Sequence, residues 1–165
     1  DAAAFGSLYD VYAPRVFRFL LARVREPADA EDLLQQVFTR VVHSLPRYRN
    51  RGLPFAAWLF RIARNVAVDF ARDRRRTETI ESAAGAFDGA LDPAVQFELA
   101  ADQERVRGAL QHLTPDQRDV VIYRFFADLS SAEIGLVMGK REGSIRALQF
   151  RAIAALRQIL EGPPA

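Results

Sequence analysis

Hydrophobic positions recur along most of this chain at steps of three and four residues, the period of a helix face rather than of a strand. Phe5, Leu8, Tyr9 and Tyr12 make one such run, and Val16, Phe17, Leu20 and Val24 make the next. Pro14 lies between them and is expected to mark a bend or a helix start, because proline has no backbone donor. After Pro27 a further helix carries Ala30, Leu33, Val37 and Val41 on one face, and Ser44-Leu45-Pro46 closes it. Arg47 to Pro54, with Asn50-Arg51-Gly52 inside, reads as a loop. A helix from about Phe55 to Arg75 follows, with Leu59, Ile62, Ala63, Val66 and Phe70 turned toward a core.

The periodicity lapses from Thr77 to Leu91, a small, acidic, Gly-containing stretch expected to be a flexible linker. Asp92-Pro93 then reads as an N-cap followed by proline in the first turn, ahead of a stripe of Val95, Leu99, Val106 and Leu110. Thr114-Pro115-Asp116-Gln117 sets a capping box, and Ser130-Ser131-Ala132-Glu133 sets a second one. The short helix opened by the second box should stop at Gly139. A longer one is expected from about Gly143 to Leu160, with Ile145, Leu148, Ala152 and Leu156 inward. A short helix, a turn with glycine and a longer basic helix are the layout of a helix-turn-helix. The fold class is therefore all-α: two small helical domains, residues 1–76 and 92–165, joined by a flexible linker over 77–91, the C-terminal one a helix-turn-helix. The linker has few apolar anchors beyond Phe87 and Leu91, so a flexible pair is expected.

Charge sharpens this picture by its placement, since the net charge is only +2. Between Thr39 and Arg76 ten arginines stand against Asp69 and Asp73, a net of +8. Thr77 to Glu104 holds seven acidic residues and no lysine or arginine, a net of −7. Lys140 to Arg157 has five basic residues against Glu142, a net of +4. Two basic blocks around an acidic middle fit two footprints on a polyanion, with solvated helix faces as the alternative that composition leaves open.

Within the first block, Arg61, Arg64, Arg72 and Arg75 share the face of the Phe55–Arg75 helix opposite its apolar residues, with Asn65 beside them. A row of guanidinium groups on a rigid rod suits phosphate, because the planar fork makes paired bonds to oxygen. Just ahead, Arg47, Tyr48, Arg49, Asn50 and Arg51 mix cations with an aromatic ring and an amide. Single strands are bound by that mixture, bases stacking on rings while arginine follows the backbone. Trp58 fits a core better than a stacking platform. In the second block, the leading residues of the recognition helix would be Arg141, Glu142, Ser144, Arg146 and Ala147, with Arg151 one turn on, where such helices reach base edges. A third face, Asp32, Gln35, Gln36 and Thr39, could hold a partner or simply water, and by physics alone water is the simpler account.

Enzyme chemistry finds little support. The chain has no cysteine, which removes disulfides, thiol catalysis and cysteine-ligated zinc. His43 and His112 lack metal-ligand spacing, Gly143-Ser144 is no nucleophile elbow, and no glycine-rich phosphate loop occurs. A protein that is not an enzyme, with no cofactor, metal or small-molecule substrate, is expected. No apolar run approaches the roughly 18 residues of a membrane span, so no direct membrane insertion is expected, and no secretory leader is visible. The chain opens on Asp1 rather than methionine, so residues ahead of it are expected.

Three ordered motifs carry a resemblance to a known family. Asp29-Ala30-Glu31-Asp32-Leu33 with Gln35 and Phe38 resembles region 2.2 of the extracytoplasmic-function sigma factors, the group IV members of the sigma-70 family. Pro54-Phe55-Ala56-Ala57-Trp58-Leu59-Phe60-Arg61-Ile62-Ala63-Arg64-Asn65, with Asp69 and Arg72, resembles their region 2.4. Leu113-Thr114-Pro115 with Arg118, Ser131-Ala132-Glu133-Ile134 and Gly143-Ser144-Ile145-Arg146 resemble region 4. The resemblance implies an alternative sigma factor that joins the RNA polymerase core in the bacterial cytoplasm and directs it to promoter DNA. Asp32, Gln35, Gln36 and Thr39 become contacts to the clamp helices of the beta-prime subunit, and the C-terminal domain would meet the beta flap. The basic loop and the Arg61–Arg75 row would read the −10 element as a single strand, and the recognition helix the −35 element as duplex. The acidic linker would thread toward the active site and the RNA-exit path, and the resemblance implies an anti-sigma factor as a partner. Three positions depart from the pattern: Gln36 replaces the usual acid, Arg141 the usual serine at the recognition-helix cap, and Phe150 a small or polar residue. The two other readings are a stand-alone operator-binding regulator, which leaves residues 1–76 unexplained, and a helical adaptor that binds no DNA.

Overall fold

The computed structural model describes residues 2–49, 52–76 and 107–162, and every ordered element in them is helical. Helix α1 spans Ala2–Val24, α2 Pro27–Ser44 and α3 Phe55–Arg76, with a short 3-10 turn at Leu45–Arg47 between the last two. The C-terminal part holds α4 (Pro115–Val121), which runs on as a π-helical turn over Ile122–Phe126, then α5 (Ser131–Met138) and α6 (Glu142–Glu161). The expected linker, the Asp92-Pro93 start and Val95, Leu99 and Val106 lie outside the described residues. Leu110, the last member of that stripe, is buried.

The first three helices form a bundle in which each packs on the other two. Ala30, Leu33, Val37 and Val41 are buried on α2, as their spacing predicts, and Leu59, Ala63 and Val66 are buried on α3. Pro14 neither bends the chain into two helices nor starts one; it sits inside a continuous α1. Proline in a helix interior costs about 3 kcal/mol. Ala13, Val16, Phe17, Leu20 and Leu21, all buried around it, offset that cost through the core they share. Asp10, four residues earlier, is exposed, so water can serve the carbonyl that lost its donor.

Both capping boxes form. Thr114 Oγ1 accepts from the Gln117 backbone N–H at 3.3 Å while Gln117 Oε1 accepts from the Thr114 N–H. Ser130 and Glu133 make the same reciprocal pair at 3.1 and 2.8 Å. Gly139 stops α5 in the left-handed region at φ 68°, and the Lys140 N–H then bonds back to the Gly135 carbonyl at 2.9 Å. Gly135 itself is required by close approach, since a Cβ there would stand 2.6 Å from the Lys140 carbonyl oxygen. Helix α6 packs on both α4 and α5, completing a helix-turn-helix with Ile145 and Ala152 in its core.

The expectation of a flexible pair differs from what the helices do. The π turn packs on α1 and α5 packs on α3, and buried residues of both units belong to one continuous hydrophobic cluster. Phe19 of α1 stacks on Tyr123 of the π turn, centroids 5.2 Å apart and planes 16° from parallel, and meets Phe60 edge-on. Linker composition could not announce this contact, because its residues lie on α1, α3 and the π turn, more than forty positions apart in sequence.

Candidate nucleic-acid interface

Helix α3 turns its apolar residues into the bundle and leaves Arg61, Arg64, Asn65, Arg72 and Arg75 exposed, the face that spacing predicts. Their surroundings differ along the rod. Arg61 donates from Nε to the Leu136 carbonyl at 3.1 Å and from a terminal nitrogen to the same oxygen. Arg61, Arg64 and Asn65 line a cleft of about 410 Å³ shared with Asp116 and Asp119 of α4 and the Gly139 turn. Arg72 lines a second cleft, about 320 Å³, with Gln36 and Arg40 of α2 and Asp69 of α3. Arg75 borders a third, beside Arg74 and the end of α1. Arg74 pairs with Asp29 at 2.8 Å and pins the end of α3 to the start of α2.

The loop before α3 is more anchored than a free reading platform. The Tyr48 ring packs on Trp58 at 4.8 Å and on Phe55 at 5.8 Å, and its hydroxyl donates to the Leu53 carbonyl at 3.0 Å. Trp58 is half-buried in that cluster, in keeping with a core role. Arg49 donates to the carbonyls of Pro46 and Tyr48, both at 3.0 Å, while Arg47 is exposed. Asn50 and Arg51 lie outside the described residues.

On α2 the face of Asp32, Gln35, Gln36 and Thr39 is fully outward, Thr39 returning its hydroxyl to the Gln35 carbonyl at 2.8 Å. It adjoins the α3 row at the Gln36–Arg72 cleft, so the two polar surfaces are neighbours.

On the recognition helix, Arg141, Glu142, Ser144, Arg146, Ala147 and Arg151 are all exposed. Arg141 is the N-cap residue, with extended backbone and no side-chain cap, because guanidinium has no acceptor to offer the first turn. Glu142 supplies negative charge there instead and holds Arg146 at 3.0 Å. Phe150, one turn beyond Arg146, is 76% exposed, the most open large apolar side chain described. Composition and motif reading missed Arg15, Arg23 and Asp119 as site neighbours. Arg23 pairs with Asp119 at 2.8 Å, and Arg15 donates to the carbonyls of Ala127 and Asp128, both at 2.8 Å. Burial pushes the Asp119 carboxyl above its ordinary value against the pull of Arg23 and Arg64, and burial likewise pushes the Tyr123 hydroxyl up to about 12. No signal in a single sequence marks such long-range pairs.

Among the described residues no group of His, Cys, Asp and Glu could hold a metal ion, and no helix is long and apolar enough to cross a membrane.

A three-helix bundle with an arginine-lined rod, followed by a helix-turn-helix, makes an all-α protein with two basic faces of the kind that bind nucleic acid. Residues 8–77 match Sigma-70 region 2, and residues 109–158 match Sigma-70, region 4. The chain is 37% identical to the ECF RNA polymerase sigma factor BldN of Streptomyces coelicolor over 97% of its own length and 61% of the relative's. It is 33% identical to the ECF sigma factor SigX of Bacillus subtilis, covering 95% of this chain and 84% of that one. Against the sigma factor CarQ of Myxococcus xanthus the figures are 37%, 95% and 89%. Among solved structures, CnrH in complex with the cytosolic domain of CnrY superposes with a TM-score of 0.72 at 25% identity, covering 99% of this chain and 92% of that one. The sigma factor RpoE of Bartonella quintana, solved with the anti-sigma factor NepR, shares the fold at a TM-score of 0.70 and 22% identity over 98% of this chain and 99% of that one. The chain belongs to the extracytoplasmic-function sigma factors of the sigma-70 family: it is an alternative sigma factor that directs promoter-specific transcription initiation.

Proposed function

We propose how the surfaces divide that work. Helix α2 docks on the core polymerase, at the beta-prime clamp helices, through Asp32, Gln35, Gln36 and Thr39. The loop residues Arg47, Tyr48, Arg49, Asn50 and Arg51, with Arg61, Arg64, Asn65, Arg72 and Arg75 of α3, hold the −10 element as a single strand. Arg141, Glu142, Ser144, Arg146, Ala147 and Arg151 read the −35 element in the major groove, while the C-terminal unit rests on the beta flap. In domain terms, residues 1–76 dock and melt, 77–91 link, and 92–165 read duplex.

The observation that carries this reading is the adjacency of two exposed faces, the amide and carboxylate row of α2 and the arginine row of α3, joined at Gln36 and Arg72. A strand held on α3 is thereby held beside whatever α2 docks on. Electrostatics agree, because arginines on a rod track phosphates while the α2 face carries Asp32 beside two amides and a hydroxyl, groups suited to hydrogen bonding with a protein partner. The anti-sigma complexes of the solved relatives support an anti-sigma partner here as well. The place of action is the cytoplasm, where polymerase and chromosome meet.

Run-off transcription from a promoter library, with core polymerase in the presence and absence of the chain, tests the reading. New starts that need the chain and share two spaced upstream elements are the expected result. Salt-dependent duplex binding without new starts would point to a stand-alone regulator, and no binding at all to an adaptor.

A further inference from the structure

A cavity of about 470 Å³ opens between the end of α1 and the second half of α3. None of its walls belongs to the loop before α3 or to the recognition helix. Its size lies in the range of small-molecule sites, roughly 300–1,000 Å³. The floor is apolar. Val24 stands on the α1 side, Val68, Phe70 and Ala71 on the α3 side, and the buried Phe19 ring lies behind. Val68 is 40% exposed, so apolar surface meets solvent there.

Arginines surround that floor. Arg23 and Arg74 are held by the carboxylates of Asp119 and Asp29, both at 2.8 Å. Their guanidinium groups lie over the Phe19 and Phe70 rings, 5.3 and 5.7 Å from the centroids. Arg25, Arg64 and Arg75 complete the rim and make no ion pair among the described residues. Arg25 follows α1 at φ 72°, in the left-handed region that favours glycine, and its N–H returns to the Leu21 carbonyl at 3.0 Å. Strained residues of this kind cluster at ligand sites. These five arginines stand against Glu26, Asp29 and Asp119, a net of +2. The C-terminal ends of α1 and α3 subtract about half a unit each, and the balance stays positive.

A ligand that suits both parts has a flat apolar body and closely spaced anionic oxygens. Inorganic phosphate lacks the first and an aromatic hydrocarbon lacks the second. A nucleotide has both, since its base can lie on apolar and guanidinium surfaces while arginine forks take its phosphates. We propose that this cavity is an effector site for a nucleoside polyphosphate, the base on the Val68–Ala71 floor and the phosphates on Arg25, Arg64 and Arg75. Arg64 and Arg75 also belong to the strand-holding row, so a bound nucleotide and a single strand exclude one another. That consequence, unlike the site itself, rests on the reading of α3.

Isothermal titration calorimetry of the full chain with ATP and GTP tests the site, with adenosine and inorganic tripolyphosphate as the two halves of the ligand. Saturable binding of one nucleotide per chain, tighter than either half, is the expected result. Arg25→Gly removes a guanidinium where glycine relaxes the backbone, so the fold is kept, and it should weaken binding about tenfold. Ala71→Trp fills the floor from an exposed position without changing charge. It should erase the advantage of ATP over tripolyphosphate and leave tripolyphosphate binding as it was. Tripolyphosphate bound as tightly as ATP by the parent overturns the base floor. A loss in the exposed Arg157→Ala equal to that in Arg25→Gly would show diffuse attraction and overturn the site, as would no nucleotide binding at all. Fluorescent single-stranded DNA of random sequence is then titrated without polymerase. With ATP at ten times its dissociation constant, apparent strand affinity should fall about elevenfold in the parent and stay level in Ala71→Trp. Undiminished affinity with ATP bound overturns the exclusion. A failure of the α3 reading looks different again, since Arg64→Ala and Arg75→Ala would then weaken ATP binding and leave strand affinity unchanged.

Discussion

The guanidinium of Arg146 is held by a side chain of its own helix. Glu142, one turn earlier, holds its guanidinium at 3.0 Å on an exposed helix face. An exposed pair of this kind adds only a few tenths of a kcal/mol to stability, so its value lies in orientation rather than in energy. Arg146→Ala is expected to reduce discrimination at one base pair of the −35 element by about 1–3 kcal/mol, with little loss of overall affinity. Competition binding against single-pair promoter variants measures this, and an unchanged preference profile would mean that α6 lies differently in the groove. Arg72 and Arg75 should behave otherwise, as phosphate contacts that carry no sequence information. Each replaced by alanine should lower the salt slope of strand binding by about 0.7. The exposed placement of these side chains was legible before any fold was known, because charge and helical spacing are local properties. Tyr48 was not so legible: its ring type suited stacking, but Phe55 and Trp58 engage it from the following helix.

Among the elements, the helix-turn-helix is the most tightly specified by local chemistry. Two capping boxes and Gly139 set three of its boundaries, and each acts within four residues of itself. Ser130→Ala should cost about 1 kcal/mol, read as a lowered thermal midpoint. Gly135→Ala should cost more, on the order of 1–3 kcal/mol, because the new Cβ meets the Lys140 backbone rather than a side chain that can swing away. Equal stability of Gly135→Ala and the parent would show that the α5–α6 turn can shift freely. Helix α1 is the contrary case. Pro14 is a strong local signal for interruption, and the bundle core around Ala13, Val16 and Phe17 overrides it. Local propensity amounts to a few kcal/mol at most, and tertiary burial of several large side chains exceeds that.

At the scale of the whole molecule, the packing of the two units gives Asp119 its unusual state. Burial raises its carboxyl pKa above the ordinary 3.8, with Arg23 and Arg64 opposing. The folded chain therefore holds that proton more tightly than the unfolded chain does. The group's contribution to stability is fully present below the ordinary value and is lost as pH rises through the raised one. Going from neutral to mildly acidic pH, the parent should gain stability relative to Asp119→Asn, as urea midpoints of the two at each pH would show. A difference that stays constant with pH would place Asp119 in a solvated setting. The amino-acid sequence alone determined the helices, their caps, the helix-turn-helix, the arginine rows and the family, because each depends on residues a few positions apart or on ordered motifs. Only the tertiary structure decided that α1 runs through Pro14, that Tyr48 is anchored, and that Arg15, Arg23 and Arg61 join the two units. Those outcomes depend on which distant surfaces bury apolar area together, and Phe19 meets Tyr123 only once both units have folded.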